Sequence, residues 1–523
     1  MRPSRRIEWL VNVPAVEQRG RRYVVTLVVM AAAIMQILDT TIVTVALPHM
    51  RGQLEADPRQ ITWVLTSYLI SSGIFMPLTG FLTDRFGQRR YLMASIAGFV
   101  AASMLCGLAQ SLDQMVLFRL LQGVAGAGLV PTAQAVLVTV YPREQRGTAM
   151  AIFGVGAMVG PILGPTVGGY LTEVLNWRWT FFINLPVGAL ALLGAAWFLP
   201  DSGTRRRRID WLGFAFLFTA VASLQYVLDR GAEDDWFASP EIRLLAVTSV
   251  FGFICLIHRN WELGERALFR LDVFRDRNFA VSTLMFAAFM FGMYGALALR
   301  PQMLESLLGY PALTTGLVLA PRGFGSMASM FVAGRLINRT GARPLILAGA
   351  MLVFAGTWIV TWYSPDVDEW WVIWPAVVQG LGLGLVFVPL STVAFATLPV
   401  ARSAEAAGIR QLGRTIGASL GVSLASTVVA DQTQAAWHRL GGQVTPFSIS
   451  ARAFLAPLGL TPDSASGAAV LGAQVARQAA FIGMLDAFVM MALALLVSLP
   501  LVLLLEKGVG KESGATMTVI AET

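Results

Sequence analysis

Runs of about 20 apolar residues follow one another along almost the whole chain, and this succession dictates the solvent in which it folds. A helix rising 1.5 Å per residue needs about 20 residues to cross a hydrocarbon layer of ~30 Å, so each run is a candidate membrane span. The pattern predicts fourteen, at roughly 23–47, 61–82, 91–110, 114–138, 148–172, 180–200, 210–228, 242–258, 279–300, 313–335, 344–362, 371–393, 406–430 and 479–504. Little remains for a soluble domain: of 523 residues, 56% are hydrophobic and only 13% charged, against about 25% charged in ordinary globular chains. The expected class is an all-α polytopic membrane protein with both termini on one side. The first run is too long for a signal-peptide core and lacks a convincing cleavage site, so it is read as a retained span. The tail after Glu506 reads as too short and polar to fold.

Arginine placement orients the bundle. Arg19, Arg21 and Arg22 precede the first span; Arg85, Arg89, Arg90, Arg143 and Arg146 fill the next loops on that side; Arg205 to Arg208, Arg259, Arg266, Arg270, Arg275 and Arg277 continue the series. The opposite loops are acidic, as in Glu233-Asp234-Asp235 and Asp366-Val367-Asp368-Glu369. By the positive-inside rule the arginine side is cytoplasmic, and the net charge of +8 is topological. No basic face accumulates, which argues against nucleic acid as a partner. Cys106 and Cys255 fall inside spans, and with His49, His258 and His438 they form no metal-ligand spacing. No nucleophile and base are paired as an enzyme would need.

The chain also repeats itself. Gly80-Phe81-Leu82-Thr83-Asp84-Arg85-Phe86-Gly87-Gln88-Arg89-Arg90 has a weaker copy in Gly334-Arg335-Leu336-Ile337-Asn338-Arg339-Thr340-Gly341-Ala342-Arg343-Pro344. Secondary transporters are commonly built from two related bundles that rock around a site near the midplane. The expected division is a six-helix bundle over 1–200, two extra spans with a linker over 201–278, and a second six-helix bundle over 279–523 carrying a long outer loop at 431–480. The two extra spans are read as peripheral to the transport path. The outer loop has apolar patches around Phe447 and Phe454 to Leu460, suited to short interfacial helices or to docking a partner.

An ionisable group inside the layer costs several kcal/mol unless paired or hydrated, which singles out Asp39 and Arg119. Their positions in spans one and four put them roughly 12 and 8 Å below the outer edge, deep enough to meet across the bundle. Protonating Asp39 would free Arg119, and losing the proton would restore the pair, so the two form a proton-coupling device that needs no cofactor beyond the proton gradient. Alternatively, Asp39 caps an interrupted helix and Arg119 snorkels to the interface. Gln122 lies one turn from Arg119, Pro131 interrupts the ladder of span four, and Gln134 follows; together they mark a cavity wall. Gln379 occupies the related position in the second half, where Ala376 replaces the arginine.

Further candidates are weaker. Gly156, Gly160, Gly164 and Gly168 recur every four residues in span five with Pro161 and Pro165 between them and Gly169 following, a spacing that packs helices closely and serves either static contact or a bend. Arg322 and Asp486 are deep charges that can meet substrate, gate or each other, whereas Arg410 and Arg414 read as snorkelling or pairing with Glu405. Met285, Phe286, Phe289, Met290, Phe291 and Tyr294 offer either a pliable lining for varied amphipathic compounds or a lipid-facing surface.

Leu38 to Pro48, beginning Leu38-Asp39-Thr40-Thr41, resembles the first-span signature of the fourteen-span drug:proton antiporters of the major facilitator superfamily. Gly80 to Arg90 resembles the superfamily's loop signature, Arg119-Leu120-Leu121-Gln122-Gly123 its span-four signature, and Gly160 to Gly169 the signature associated with antiport. Arg207-Arg208-Ile209-Asp210-Trp211, Leu228-Asp229-Arg230-Gly231, Asp235-Trp236-Phe237 and the segment 431–480 narrow the likeness to Emr-type inner-membrane multidrug efflux subunits. The resemblance implies the major facilitator fold, two six-helix bundles with two extra central helices, in a bacterial inner membrane. It implies that Asp84, Arg85 and Arg89 clamp the cytoplasmic ends of the two bundles, with Gly80 and Gly87 at tight turns. It also implies a periplasmic adaptor and an outer-membrane channel as partners. A dedicated exporter of one siderophore or lipid-like metabolite, or a non-transporting scaffold or sensor, would use the same fold.

Overall fold

The computed structural model describes residues 15–506, except 57–59, 143–144, 201–202, 205–209, 232–233, 265–266, 268–270, 400–401 and 446. Arg143, Arg205 to Arg208, Ile209, Glu233, Arg266, Arg270, the side chains of Arg19 and Pro165, and the tail after Glu506 therefore lie outside the described residues.

Fourteen helices are long and apolar enough to cross a membrane. They are α1 Gly20–Leu47, α2 Trp63–Phe86, α3 Gln88–Leu108, α4 Leu112–Val140, α5 Arg146–Val174, α6 Trp179–Phe198 and α7 Trp211–Arg230, then α8 Pro240–Leu263, α9 Arg277–Ser306, α10 Thr314–Thr340, α11 Ala342–Trp362, α12 Glu369–Ala394, α13 Ser403–Gly441 and α14 Ala465–Leu504. No strand occurs among the described residues. The chain is a multi-pass, all-α membrane protein with α1–α6 and α9–α14 as two six-helix halves and α7–α8 between them.

The last two helices correct the expected long outer loop. At 1.5 Å per residue, the 39 residues of α13 and 40 of α14 run about 60 Å, twice the ~30 Å layer. Residues 431–441 and 465–480 continue these helices beyond it, and the connection between them holds the short helix Ile449–Leu455 followed by the 3-10 turn Ala456–Leu458. A hydropathy window stops where the apolar run stops, whereas the Ala- and Gln-rich continuations keep helix propensity in water. Phe447 and Ile449 at the tip are 80% and 86% exposed.

The duplication is visible in backbone geometry. Gly87 and Gly341, at the ends of the two related loops, both take positive φ, 86° and 79°, which a side chain would strain. Gly80 is not at a turn, as expected, but inside the helical end of α2, where a Cβ would lie 2.5 Å from Glu405 Cα on α13. Its copy Gly334 lies against α5, where a Cβ would come 2.7 Å from Ala151 Cβ, and Gly147 opposite would meet Ile337 at 2.8 Å. Gly408 brings α13 onto the Met76 carbonyl in the same manner, at 2.5 Å.

These close approaches join the two halves at the arginine-rich face. The arginine-bearing half of α2 packs on α13 and α5 packs along α10, while the other half of α2, Trp63–Phe75, packs on α7 instead. Arg146 Nη1 at the start of α5 donates to the Phe395 carbonyl past the end of α12 at 2.9 Å, adding a polar tie between halves. The structure is thus closed at this face.

The extra helices divide the work. α8 presents Leu244, Val247, Val250, Phe251 and Ile254 outward and is the peripheral helix expected. α7 is not peripheral: Gln225 Nε2 donates to Ser419 Oγ at 3.0 Å, Trp236 Nε1 just beyond it to Thr427 Oγ1 at 2.8 Å, and Tyr226 packs on Trp63, so α7 fills a seam between α2 and α13.

A buried carboxylate-guanidinium cluster

Asp39 sits within an unbroken helix, Ala15–Gln53, and both it and Arg119 are 0% exposed. An unbroken helix leaves nothing for Asp39 to cap, and full burial leaves Arg119 no route to snorkel. Arg119 Nη1 donates to Asp39 Oδ2 at 2.7 Å and to Gln122 Oε1 at 2.7 Å, and its Nε donates to the Val64 carbonyl at 2.9 Å. Asp39 Oδ1 accepts from Gln122 Nε2 at 3.0 Å and from Asn184 Nδ2 at 2.9 Å. Asn184 also donates to Ser103 Oγ at 2.9 Å, which in turn donates to the Phe181 carbonyl at 2.9 Å. Three donors converge on one carboxylate.

The guanidinium is held by rings as well. Its Cζ lies 4.5 Å from the Tyr68 ring centroid and 5.7 Å from that of Phe181, within cation-π range, while Nη2 has no hydrogen-bond partner. The cation therefore has one strong anionic contact and a soft aromatic surround. Removing one partner of such a buried pair leaves the other uncompensated at about 3–5 kcal/mol.

Neighbouring elements fix this geometry. α4 breaks at residues 127–128, one turn before Pro131, and the freed Val130 N–H donates to Gln36 Oε1 of α1 at 3.2 Å. The glycine stripe of α5 faces α1: a Cβ would lie 2.2 Å from Met30 Cε at Gly156, 2.6 Å from Ile37 Cγ2 at Gly160, 2.1 Å from Thr41 Oγ1 at Gly164 and 3.0 Å from the Ile42 carbonyl at Gly168. Thr41 Oγ1 donates across to the Gly160 carbonyl at 3.1 Å. The stripe thus seats the helix that carries Asp39, and α5 stays helical through Pro161 and Pro165. A Cβ added at Gly169 would meet nothing within 4 Å, so this glycine is not required by close packing. Gly160→Val is expected to lower thermal stability in detergent by about 1–3 kcal/mol, the usual range for overpacking, while Gly169→Ala stays within ~0.5 kcal/mol. Equal melts for the two variants would show that the stripe is not a tight seat.

The other candidates separate. Gln134 is buried on α4 and shares no hydrogen bond with the cluster among the described residues, and Gln379 donates to Thr357 Oγ1 at 2.9 Å, tying α12 to α11 rather than lining the Asp39 site. Asp486 is half-buried on α14 and forms no ion pair among the described residues, so it does not meet Arg322. Arg410 does not snorkel: it is 2% exposed, its Cζ lies 3.9 Å from the Phe286 ring centroid, and Nη2 donates to Ser391 Oγ at 3.0 Å. Met285, Phe286, Phe289 and Met290 are buried in the core, which removes the lipid-facing reading for these four. On the loop, Asp84 is half-buried, Arg85 packs over Phe86, and Arg89 donates to the Ala196 carbonyl of α6.

Sequence reading missed Asn184, Ser103 and Gln36, each a lone polar residue in an apolar run, which is the signal that would have found them. It also missed Arg300 on α9, 2% exposed.

The geometry defines a bundle of two related halves with a buried charged cluster inside the first. The Major Facilitator Superfamily model matches residues 29–422, and the chain belongs to that superfamily, within its Emr-type branch. It is 35% identical over 486 residues to the multidrug export protein EmrB of Escherichia coli (strain K12), covering 92% of this chain and 94% of that one. It is also 35% identical to the fatty acid resistance protein FarB of Neisseria gonorrhoeae, covering 91% and 95%. The human organic anion transporter MFSD10 shares the fold at 15% identity, with a TM-score of 0.60 over 92% of this chain and 99% of that one.

Proposed function

We propose that the chain is a proton-coupled antiporter that exports amphipathic or hydrophobic toxic compounds across a bacterial inner membrane by alternating access. The observation that carries this reading is the Asp39 carboxylate, fully buried and met by Arg119, Gln122 and Asn184. A proton arriving at Asp39 neutralises it, and Arg119 then loses its counter-charge and must find another partner. The cluster therefore has two charge states, and the one stabilised by bound substrate differs from the one stabilised by the proton. The relatives named for multidrug export support the substrate class.

In this reading the arginine-rich face is cytoplasmic, both termini lie there, and the structure is closed on that side. Gly80, Gly147, Gly334 and Gly408, with Arg146, form the cytoplasmic gate, and Asp84, Arg85, Gly87 and Arg89 shape the loop beside it. The unit divisions are 1–200, 201–278 and 279–523. The helical projection of α13 and α14 is the docking element for a periplasmic adaptor that leads to an outer-membrane channel, since its tip exposes Phe447 and Ile449.

The test is proton movement. In energised inside-out vesicles containing the chain, lipophilic drugs should collapse part of the pH gradient, read with a gradient-sensitive dye. Replacing residues 442–464 by a short flexible linker should leave that signal unchanged and remove drug resistance from whole cells. No signal with any compound would overturn the antiport reading; resistance surviving the excision would overturn the docking role.

A further inference from the structure

Two guanidiniums in the second half have no counter-charge among the described residues. Arg300 on α9 is 2% exposed; its Nε and Nη1 lack any partner, and its Nη2 reaches the Gly356 carbonyl only at 3.5 Å. Arg322 on α10 is half-buried, makes no hydrogen bond or ion pair among the described residues, and lies within Coulombic reach of Arg300 and Tyr294. Neither has a carboxylate within ion-pair distance among the described residues, in contrast with Arg119. α10, which carries Arg322, and α11, whose Gly356 carbonyl Arg300 reaches, both pack closely on α12. A Cβ on Gly380 of α12 would lie 2.1 Å from the Arg322 carbonyl, and one on Gly356 would lie 2.6 Å from that of Pro375.

Two like charges near one another in an apolar bundle are unfavourable unless an anion joins them. Each guanidinium is a planar fork that matches an oxyanion in two parallel bonds. Arg300 stands six residues before the end of α9 and Arg322 eight after the start of α10, so both lie roughly 9–12 Å beneath the face opposite the arginine-rich one.

We propose that Arg300 and Arg322 form a subsite for the oxyanion headgroup, a carboxylate or sulfonate, of an amphipathic substrate. This deepens the export reading by naming a substrate class and rests on it. The apolar tail of such a compound extends along the helices while the headgroup supplies the missing acceptor. The subsite is separate from the Asp39 cluster, so headgroup binding leaves the proton site free to titrate.

The experiment uses the full chain in nanodiscs of zwitterionic lipid and three probes with one tail: dodecanoate, dodecanol and dodecyltrimethylammonium. Binding is read by tryptophan fluorescence. Wild type should bind dodecanoate at least ~10-fold more tightly than dodecanol, which is about 1.4 kcal/mol. Arg322→Gln should reduce dodecanoate to the level of the alcohol and leave the ammonium probe unchanged, and Arg300→Lys should weaken dodecanoate by losing the fork while keeping the charge. Equal binding of dodecanoate and dodecanol by wild type, or full dodecanoate affinity in Arg322→Gln, would overturn the proposal. Loss of dodecanoate binding when phosphatidylglycerol is added to the discs would assign the subsite to a lipid phosphate and overturn the substrate role. If the antiport reading alone fails, no probe evokes proton release and the contrast between dodecanoate and the alcohol persists.

Discussion

Asp39→Asn is expected to leave the protein folded and to abolish drug-evoked proton release from energised vesicles at matched abundance. Asparagine keeps the volume and one acceptor oxygen but cannot take up and release a proton at neutral pH, so the cluster is fixed in one charge state. Arg119→Gln should be the more damaging change to stability, because it leaves a buried carboxylate with two amide donors in place of a charge, a loss of about 3–5 kcal/mol. Combining the two should restore much of that loss, since a neutral pair satisfies itself with no uncompensated charge. Thermal melting of the three variants gives the coupling, and proton release gives the function. Release from Asp39→Asn equal to wild type would exonerate Asp39, and simple addition of the two stability losses would deny that the pair is coupled.

The overall fold was readable because a membrane span advertises itself: all fourteen span positions could be set by hydropathy and the charge of the flanking loops, with ends shifted by a turn or less on most helices. The α13–α14 projection was not readable, since polar helices beyond the layer carry no hydropathy signal. Asp39 and Arg119 were legible because charge in an apolar run is costly, and their depths placed them within reach. Asn184 carries a weaker signal, a lone neutral amide in an apolar run, and nothing in its spacing shows that it reaches Asp39, 145 residues away. Arg410 was misjudged for a different reason: spacing reveals that Glu405 and Arg414 are one turn away, but not that the Phe286 ring lies under the guanidinium. Gly80 shows the limit most clearly, as its motif suggests a turn whereas its role comes from α13, a helix more than three hundred residues away in sequence.

Export of an anion in exchange for a proton also changes the energetics. One charge moved through 100 mV is worth about 2.3 kcal/mol, and inward proton with outward monoanion moves two, or about 4.6 kcal/mol. Exchange of a proton for a monovalent cation moves no net charge and draws on the pH gradient alone. An anion subsite of the kind built by Arg300 and Arg322 would therefore let the membrane potential drive export most strongly for anionic substrates. The dependence of transport on potential, measured with dodecanoate and with the ammonium probe, should differ in this direction.

Gly80→Val is expected to open the arginine-rich face. The nearest atoms to an added Cβ are Glu405 Cα and Cβ at 2.5 Å and its N at 2.9 Å, so the clash is with the backbone of α13 and no flexible side chain can yield. The halves must separate there. Overpacking costs about 1–3 kcal/mol, and each 1.4 kcal/mol is a tenfold shift, so the closed population should fall by roughly 5- to 150-fold. Spin labels at positions 90 and 339, on opposite halves of this face, report the distance directly: wild type should show mainly the short distance and Gly80→Val the long one. Gly87→Ala is the control, because it strains a positive φ at a corner within one half and leaves the inter-half contact alone. Export requires a state closed on the cytoplasmic side so that substrate can leave outward, and a chain held open there would still bind substrate but not release it across the membrane. An unchanged distance distribution in a folded Gly80→Val protein would mean that the two halves are not held together at Gly80 and Glu405, and that the gate lies elsewhere.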